Sequence, residues 1–155
     1  MVIIQEKRER VEGTNLSKRF YLDTAIWLDL FENRDEPNLP KGKWSSELIS
    51  KIVKNDDIII YSDNNIFELI VVGYFQYELE KMFKSLRPIL LFVESTEKQI
   101  GLAKDLSFKR NVPKRDALHA LIARDNKAIL VTFDKHFQML LDITKPKRPQ
   151  DLIWL

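Results

Sequence analysis

The chain reads as an α/β protein, a layered α/β/α sandwich on a mostly parallel sheet. Three observations predict this. The apolar runs FYL (20–22), IIIY (58–61), ILLFV (89–93) and AILVT (128–132) are unbroken rather than alternating. Unbroken runs are the mark of strands covered on both faces. Segments with apolar residues at helical spacing separate the runs, and such regular alternation fits βαβ units.

The elements follow in order. Residues 1–18 form a polar leader of mixed charge, with one short strand expected at VII. The strand FYL passes into a helix over TAIWLDLFENR, paced by Ile26, Leu30 and Phe31. A loop with Pro37 and Pro40 leads to a second helix from Ser45 to Lys54. After the strand IIIY, a helical segment runs from Asn64 towards Lys84, with Gly73 as its expected break. Pro88 precedes the strand ILLFV, and a helix over 96–106 comes next. Pro113 stands where a helix favours proline and opens one that reaches Asp125. The strand AILVT, a short helix over HFQMLL and a tail complete the chain. There are no repeats or linkers, so residues 19–155 are expected to form a single domain.

Composition narrows the chemistry. The 155 residues suffice for one domain with a sizeable core. Cysteine is absent, which excludes disulfides, thiolate zinc sites and a cysteine nucleophile. With only two histidines, His119 and His136, a three-histidine metal site is impossible. A metal would rest on oxygen ligands, which suits Mg2+ or Mn2+. No apolar run has the length of a membrane span, and no signal peptide is evident, so a cytoplasmic protein with no membrane contact is expected. Net charge is only +2, but residues 104–115 hold five basic residues against Asp105, and KPKR (145–148) adds three. Such segments suit a polyanion, although solvated helix ends are the plainer explanation on charge alone.

Four acids stand where a strand meets a helix, or where a helix begins: Asp23, Glu68, Asp116 and Asp134. In βαβ units, strand C-termini and helix N-termini share the edge where open α/β sheets bind ligands. Asp63, Glu94 and Glu97 fall near the same edge, and topology alone does not separate them. Asp56, Asp57 and Asp125 belong to the opposite edge. Singly, Asp23 reads as a helix N-cap, Asp134 likewise, and Asp116 and Glu68 as partners of a helix dipole. Jointly, they are a carboxylate set able to hold one or two divalent ions, which lower the pKa of water and stabilise phosphate during in-line attack. Thr132 is placed to orient a ligand through its hydroxyl, with Thr24 and Ser62 as weaker candidates.

These residues resemble the PIN domain family of metal-dependent ribonucleases. YLDTAIWLDL is similar to its first motif (Asp23), SDNNIFELI to its second (Glu68), VPKRDALHALIA to its third (Asp116) and ILVTFDKHF to its fourth (Thr132 and Asp134). RPQDLIWL resembles its closing tail. The resemblance implies about five strands in the order 3-2-1-4-5. It implies metal ligation by Asp23, Glu68, Asp116 and Asp134, and cleavage of single-stranded RNA by a metal-activated water. It further implies a VapC-type toxin with a small antitoxin partner, often a homodimer. Position 25 is Ala where the family often has a small polar residue, which keeps in view an inactive RNA- or protein-binding module of the same fold. A phosphotransfer protein fits less well, because the paired acids of the first motif are missing.

Other residues carry weaker signals. Lys109, Arg110, Lys114 and Arg115 are candidate RNA contacts. His119 reads as a packed histidine and His136 as a helix-start residue. Trp27, Trp44, Phe67, Tyr74, Phe75 and Tyr77 suit base stacking, but at helical spacing they suit the core or a partner surface better.

Overall fold

A computed structural model describes residues 17–154. The strand expected at VII lies outside that range. Four strands form one parallel sheet in the order β3-β2-β1-β4: β1 (Arg19–Leu22), β2 (Ile58–Ser62), β3 (Leu90–Val93) and β4 (Ile129–Val131). Register pairs Tyr21 with Ile60 on one side and with Leu130 on the other. The helices are α1 (Thr24–Glu32), α2 (Lys41–Lys54), α3 (Asp63–Val71), α4 (Gln76–Lys84), α5 (Glu97–Arg110), α6 (Lys114–Asp125) and α7 (Pro149–Ile153).

The apolar runs divide by alternate residues between two cores. Tyr21, Ile58, Ile60 and Leu130 face α5 and α6, with Ala103, Ala117, Leu121 and the 3-10 helix Lys135–Leu140 beneath them. Phe20, Leu22, Ile59 and Tyr61 face α1, α2, α3 and α4 through Ile26, Trp27, Leu48, Leu69 and Phe83. Strands buried on both faces need apolar side chains at every position, which is why they do not alternate.

Among the described residues the sheet has four strands rather than five. Lys147 makes only an isolated parallel bridge to Val131, donating its amide to Leu130 O (2.8 Å) and accepting from the Thr132 amide (2.9 Å). The next ladder bond would need an amide at position 149, which is Pro149, and proline has no N–H to give. Pro149 instead opens α7, a helix inside the stretch expected to be tail.

Other boundaries also differ from expectation. The α2 helix starts at Lys41, directly after Pro40, because its first turn carries no apolar periodicity to announce it. The α3–α4 break, by contrast, falls at Gly73 as expected, with a φ of +119° that is open to glycine and strained for other residues. Gly42 matters for a different reason: a Cβ there would lie 2.6 Å from the backbone carbonyl carbon of Asn33. Glycine thus lets the start of α2 pass against the end of α1.

Candidate metal centre and active site

Asp23 ends β1 and precedes α1, yet its side chain makes no capping bond to the helix amides. The capping role expected of a lone aspartate is not realised. Instead Thr132 Oγ1 donates to Asp23 Oδ2 (2.8 Å) and accepts from the Asp134 amide (2.9 Å). One hydroxyl therefore fixes two of the four acids. Asp134 does cap, accepting from the His136 amide at 2.8 Å. That turn brings the His136 imidazole back onto the site, with Nδ1 3.1 Å from Asp116 Oδ2 and 3.1 Å from Asp134 Oδ1. One ligand atom from each of Asp116, Asp134 and His136 lies within 4.8 Å of the other two.

Glu68 is held by a buried network. Thr24 Oγ1 donates to Glu68 Oε1 (2.7 Å) and accepts from Asn65 Nδ2 (3.0 Å). Asn65 also donates to Leu22 O and takes the Ser62 amide in a capping box, locking the start of α3 to the end of β1. His119 is fully buried, and its Nε2 contacts the same Glu68 oxygen. Its Nδ1 faces Tyr21 Oη (2.6 Å) and Asn64 Nδ2 (3.1 Å), and Tyr21 Oη meets Ser62 Oγ at 2.7 Å. The Asn64 amide nitrogen only donates, and its orientation is set because Asn64 Oδ1 accepts from Arg115 Nη1 (2.9 Å). In the neutral imidazole Nδ1 is therefore the acceptor, and Nε2 directs its N–H at Glu68.

The electrostatics follow from this packing. Burial pushes the Asp23 carboxyl above the usual range, and the charges of Glu68 and Asp134 add to the rise against His119 and Thr132. Burial likewise raises Asp116, to about 6, helped by the charges of Asp23 and Asp134. Burial also pushes Glu68 upwards, but the hydrogen bond and charge of His119, with Thr24 and Arg115, carry it below its ordinary value. For His119 burial acts downwards, and the bond to Glu68 with the charges of Asp23, Glu68 and Asp116 produces a net rise. Asp23 thus feels the charges of Glu68 and Asp134, Asp116 feels those of Asp23 and Asp134, and both carboxyls are raised. Carboxylate oxygens with one imidazole nitrogen form a donor set that suits a hard divalent ion.

The remaining acids of that edge are placed elsewhere. Asp63 accepts from the Ser95 amide (2.7 Å) and hydroxyl (2.6 Å). Glu94 and Glu97 follow β3, which β2 separates from β1. Asp57 precedes β2 and accepts from the Lys18 amide, while Asp125 at the end of α6 accepts from Gln99.

Sequence reasoning missed three parts of the site. His136 sits beside two of the acids, His119 supports Glu68 as well as packing, and Asn65 ties Thr24 in place. Only Asn65 carried a legible signal, the S-x-x-N spacing of a capping box after a strand. Among the candidate RNA contacts, the Arg115 guanidinium lies 3.9 Å over the Phe67 ring. Lys109 and Lys114 are exposed. Arg110 is already engaged, forming two bonds to Asp142 (2.6 and 2.9 Å). Trp27 is core, Tyr74 packs on Phe31, and Trp44 stacks on Phe133. Phe67, Phe75 and Tyr77 remain exposed.

The sequence matches the PIN domain over residues 20–140, which includes every acid of the site. The chain belongs to the PIN domain family. PIN domains are generally nucleases and typically use a divalent metal. The fold of this PIN domain is similar to that of a chain in the crystal structure of VapBC2 from Rickettsia felis bound to a DNA fragment from its promoter. The two are 17% identical, with a TM-score of 0.59 over 84% of this chain and 98% of that one. A chain of a toxin–antitoxin complex from Klebsiella pneumoniae is similar at 16% identity and a TM-score of 0.55, over 83% and 98%. PAE2754 from Pyrobaculum aerophilum is similar at 15% identity and a TM-score of 0.51, over 90% and 96%. No curated protein sequence matches the chain. Among the described residues, no helix is long and apolar enough to cross a membrane.

Proposed function

We propose that this PIN domain is a Mg2+- or Mn2+-dependent endoribonuclease that cuts phosphodiester bonds of single-stranded RNA. The observation that carries this reading is the cluster of Asp116, Asp134 and His136, whose ligand atoms lie within 4.8 Å of one another, and it is supported by Asp23, which Thr132 holds and which the charges of Glu68 and Asp134 reach. The four carboxylates would hold the ion, with His136 beside Asp116 and Asp134. When bound, such an ion lowers the pKa of water and offsets charge developing on the phosphate. Thr132 is a positioning residue that sets Asp23 by its hydroxyl and Asp134 by its backbone. Thr24 and His119 fix Glu68 from two directions, so that little motion is left to lose on binding the ion. Arg115, over the Phe67 ring, with Lys114 and Lys109, supplies phosphate contacts at the rim.

Ala25 is exposed, while the neighbouring Thr24 donates to Glu68.

The biological role we assign is that of a VapC-type toxin acting in the cytoplasm and restrained by a small antitoxin. Support comes from the fold shared with chains of VapBC2 and of a toxin–antitoxin complex. It also comes from the exposed apolar side chains of Val71, Val72, Phe75 and Tyr77, which suit a protein partner or a second copy. The reading is tested by titrating Mn2+ into the purified chain in a calorimeter and by expressing it with its neighbouring genes. Saturable Mn2+ binding and co-purification of a small protein are expected. Absence of metal binding would remove the nuclease, and growth unaffected by expression of the chain alone would remove the toxin.

A further inference from the structure

A polynucleotide cut at this site has to be held on either side of it. On the far side of Asp134 a cleft of about 570 Å³ opens from the site, with Thr132 and Asp134 in its wall. Lys41, Lys135, Lys147 and Arg148 line it, drawn from the start of α2, the turn after β4 and the segment before α7. Two of these cations are partly satisfied. Lys41 pairs with Glu36 (2.6 Å) and lies 5.6 Å over Phe133, and Arg148 bonds to Asp151 (3.1 Å). Lys135 and Lys147 have no ion-pair partner among the described residues, and Lys147 only pulls down the Asp151 pKa through space. The Lys147 backbone is pinned to β4 by the bridge described above, so its exposed ammonium extends from a fixed point.

Sheet order supplies the direction. With strands arranged β3-β2-β1-β4, the acids that follow β2, β1 and β4 lie side by side as Glu68, Asp23 and Asp134. Arg115 on Phe67 lies beyond Glu68, and the cleft lies beyond Asp134. The carboxylates therefore sit between two cationic flanks, only one of which the basic stretch 104–115 announces.

Resting on the nuclease reading, we infer that the cleft is the second half of a track for single-stranded RNA, with Lys135 and Lys147 gripping backbone phosphates beside the scissile bond. Ammonium groups on flexible stems suit phosphate as point charges and read no sequence. The cleft opens on the site that must receive the phosphodiester, so a strand lying in it continues the one being cut. An acidic polypeptide is the rival occupant.

The test is the salt dependence of binding of a fluorescein-labelled single-stranded RNA, followed by anisotropy in EDTA, to the full chain and to Lys135→Ala/Lys147→Ala. Both side chains are exposed, so their truncation leaves the core untouched. Each phosphate contact on a single strand contributes about 0.7 to the slope of log Kobs against log salt, so the variant should lose about 1.4. A fourfold rise in salt then weakens it about sevenfold less than wild type. Lys81→Ala/Lys84→Ala, exposed on α4 and outside both flanks, should keep the wild-type slope. An unchanged slope in the first variant overturns the cleft alone, while wild-type binding and Mn2+-dependent cleavage keep the nuclease reading. A wild-type chain that neither binds nor cuts RNA overturns both. Displacement of RNA by poly-glutamate as readily as by unlabelled RNA assigns the cleft to an acidic polypeptide instead.

Discussion

Asp116→Asn should destroy the site and stabilise the metal-free fold. Burial and the charges of Asp23 and Asp134 raise the Asp116 pKa from 3.8 to about 6. A carboxyl raised in this way supports folding most below about pH 4, where both states bind the proton, and that support is lost as pH climbs through about 6. Above that pH the buried charge opposes folding. The gap between 3.8 and about 6, at about 1.4 kcal/mol for each tenfold, sets a ceiling of about 3 kcal/mol. Water at the open side of the site screens the group and reduces this to about 1.5 kcal/mol. Asparagine keeps the shape and removes the charge. In EDTA near pH 8, the variant should melt about 3–6 °C higher than wild type, and near pH 3 the two should coincide. Added Mn2+ should raise the wild-type Tm and leave the variant unmoved. A variant no more stable than wild type near pH 8 would refute the claim that Asp116 is held as an uncompensated charge.

Three further substitutions probe the supports. Thr132→Val strips a donor from Asp23 and an acceptor from the Asp134 amide, and should cost about 1–3 kcal/mol in urea unfolding and weaken Mn2+ binding, with Thr132→Ser restoring both. If Thr132→Val binds Mn2+ like wild type, the hydroxyl is not positioning the acids. Tyr21→Phe removes the hydroxyl between Ser62 and His119, and should lower stability by about 1 kcal/mol and loosen Glu68, read as a weaker Mn2+ affinity in calorimetry. An unaltered affinity would separate the His119 network from the metal site. Gly42→Ala forces a Cβ against the Asn33 backbone and should destabilise by about 1–3 kcal/mol, and an unchanged urea midpoint would show that α1 and α2 yield easily.

The layered fold was legible because strands buried on both faces must be apolar at every position, and helices break that pattern with their own period. An acidic ligand edge was legible because the end of a parallel strand and the start of its following helix share it, but topology admits Asp63, Glu94 and Glu97 too, and only the resemblance to the PIN motifs picks out Asp23, Glu68, Asp116 and Asp134. What the sequence concealed depends on angle rather than order. His136 reaches Asp116 only because Asp134 caps the turn between them, and no spacing in DKH announces that rotation. His119 looked like a packed residue and is one, but a buried imidazole needs partners, and Glu68 and Tyr21 are the polar groups within reach. The missing fifth strand follows from Pro149, and the same proline starts α7. The cleft beyond Asp134 draws on stretches separated by about a hundred positions, so the basic segment 145–148 was legible in the sequence but its meeting with Lys41 and Lys135 was not.

Whether Asp23 and its neighbours hold an ion that cuts RNA is read from Mn2+-dependent cleavage of single-stranded RNA by wild type and by Asp23→Asn. Asp23 makes no helix-capping bond, so the substitution leaves α1 intact, as circular dichroism should confirm. Cleavage by wild type, abolished by EDTA and reduced about a hundredfold or more in Asp23→Asn, is the expected result. Wild-type cleavage undiminished in EDTA, or a full rate in the variant, would contradict it.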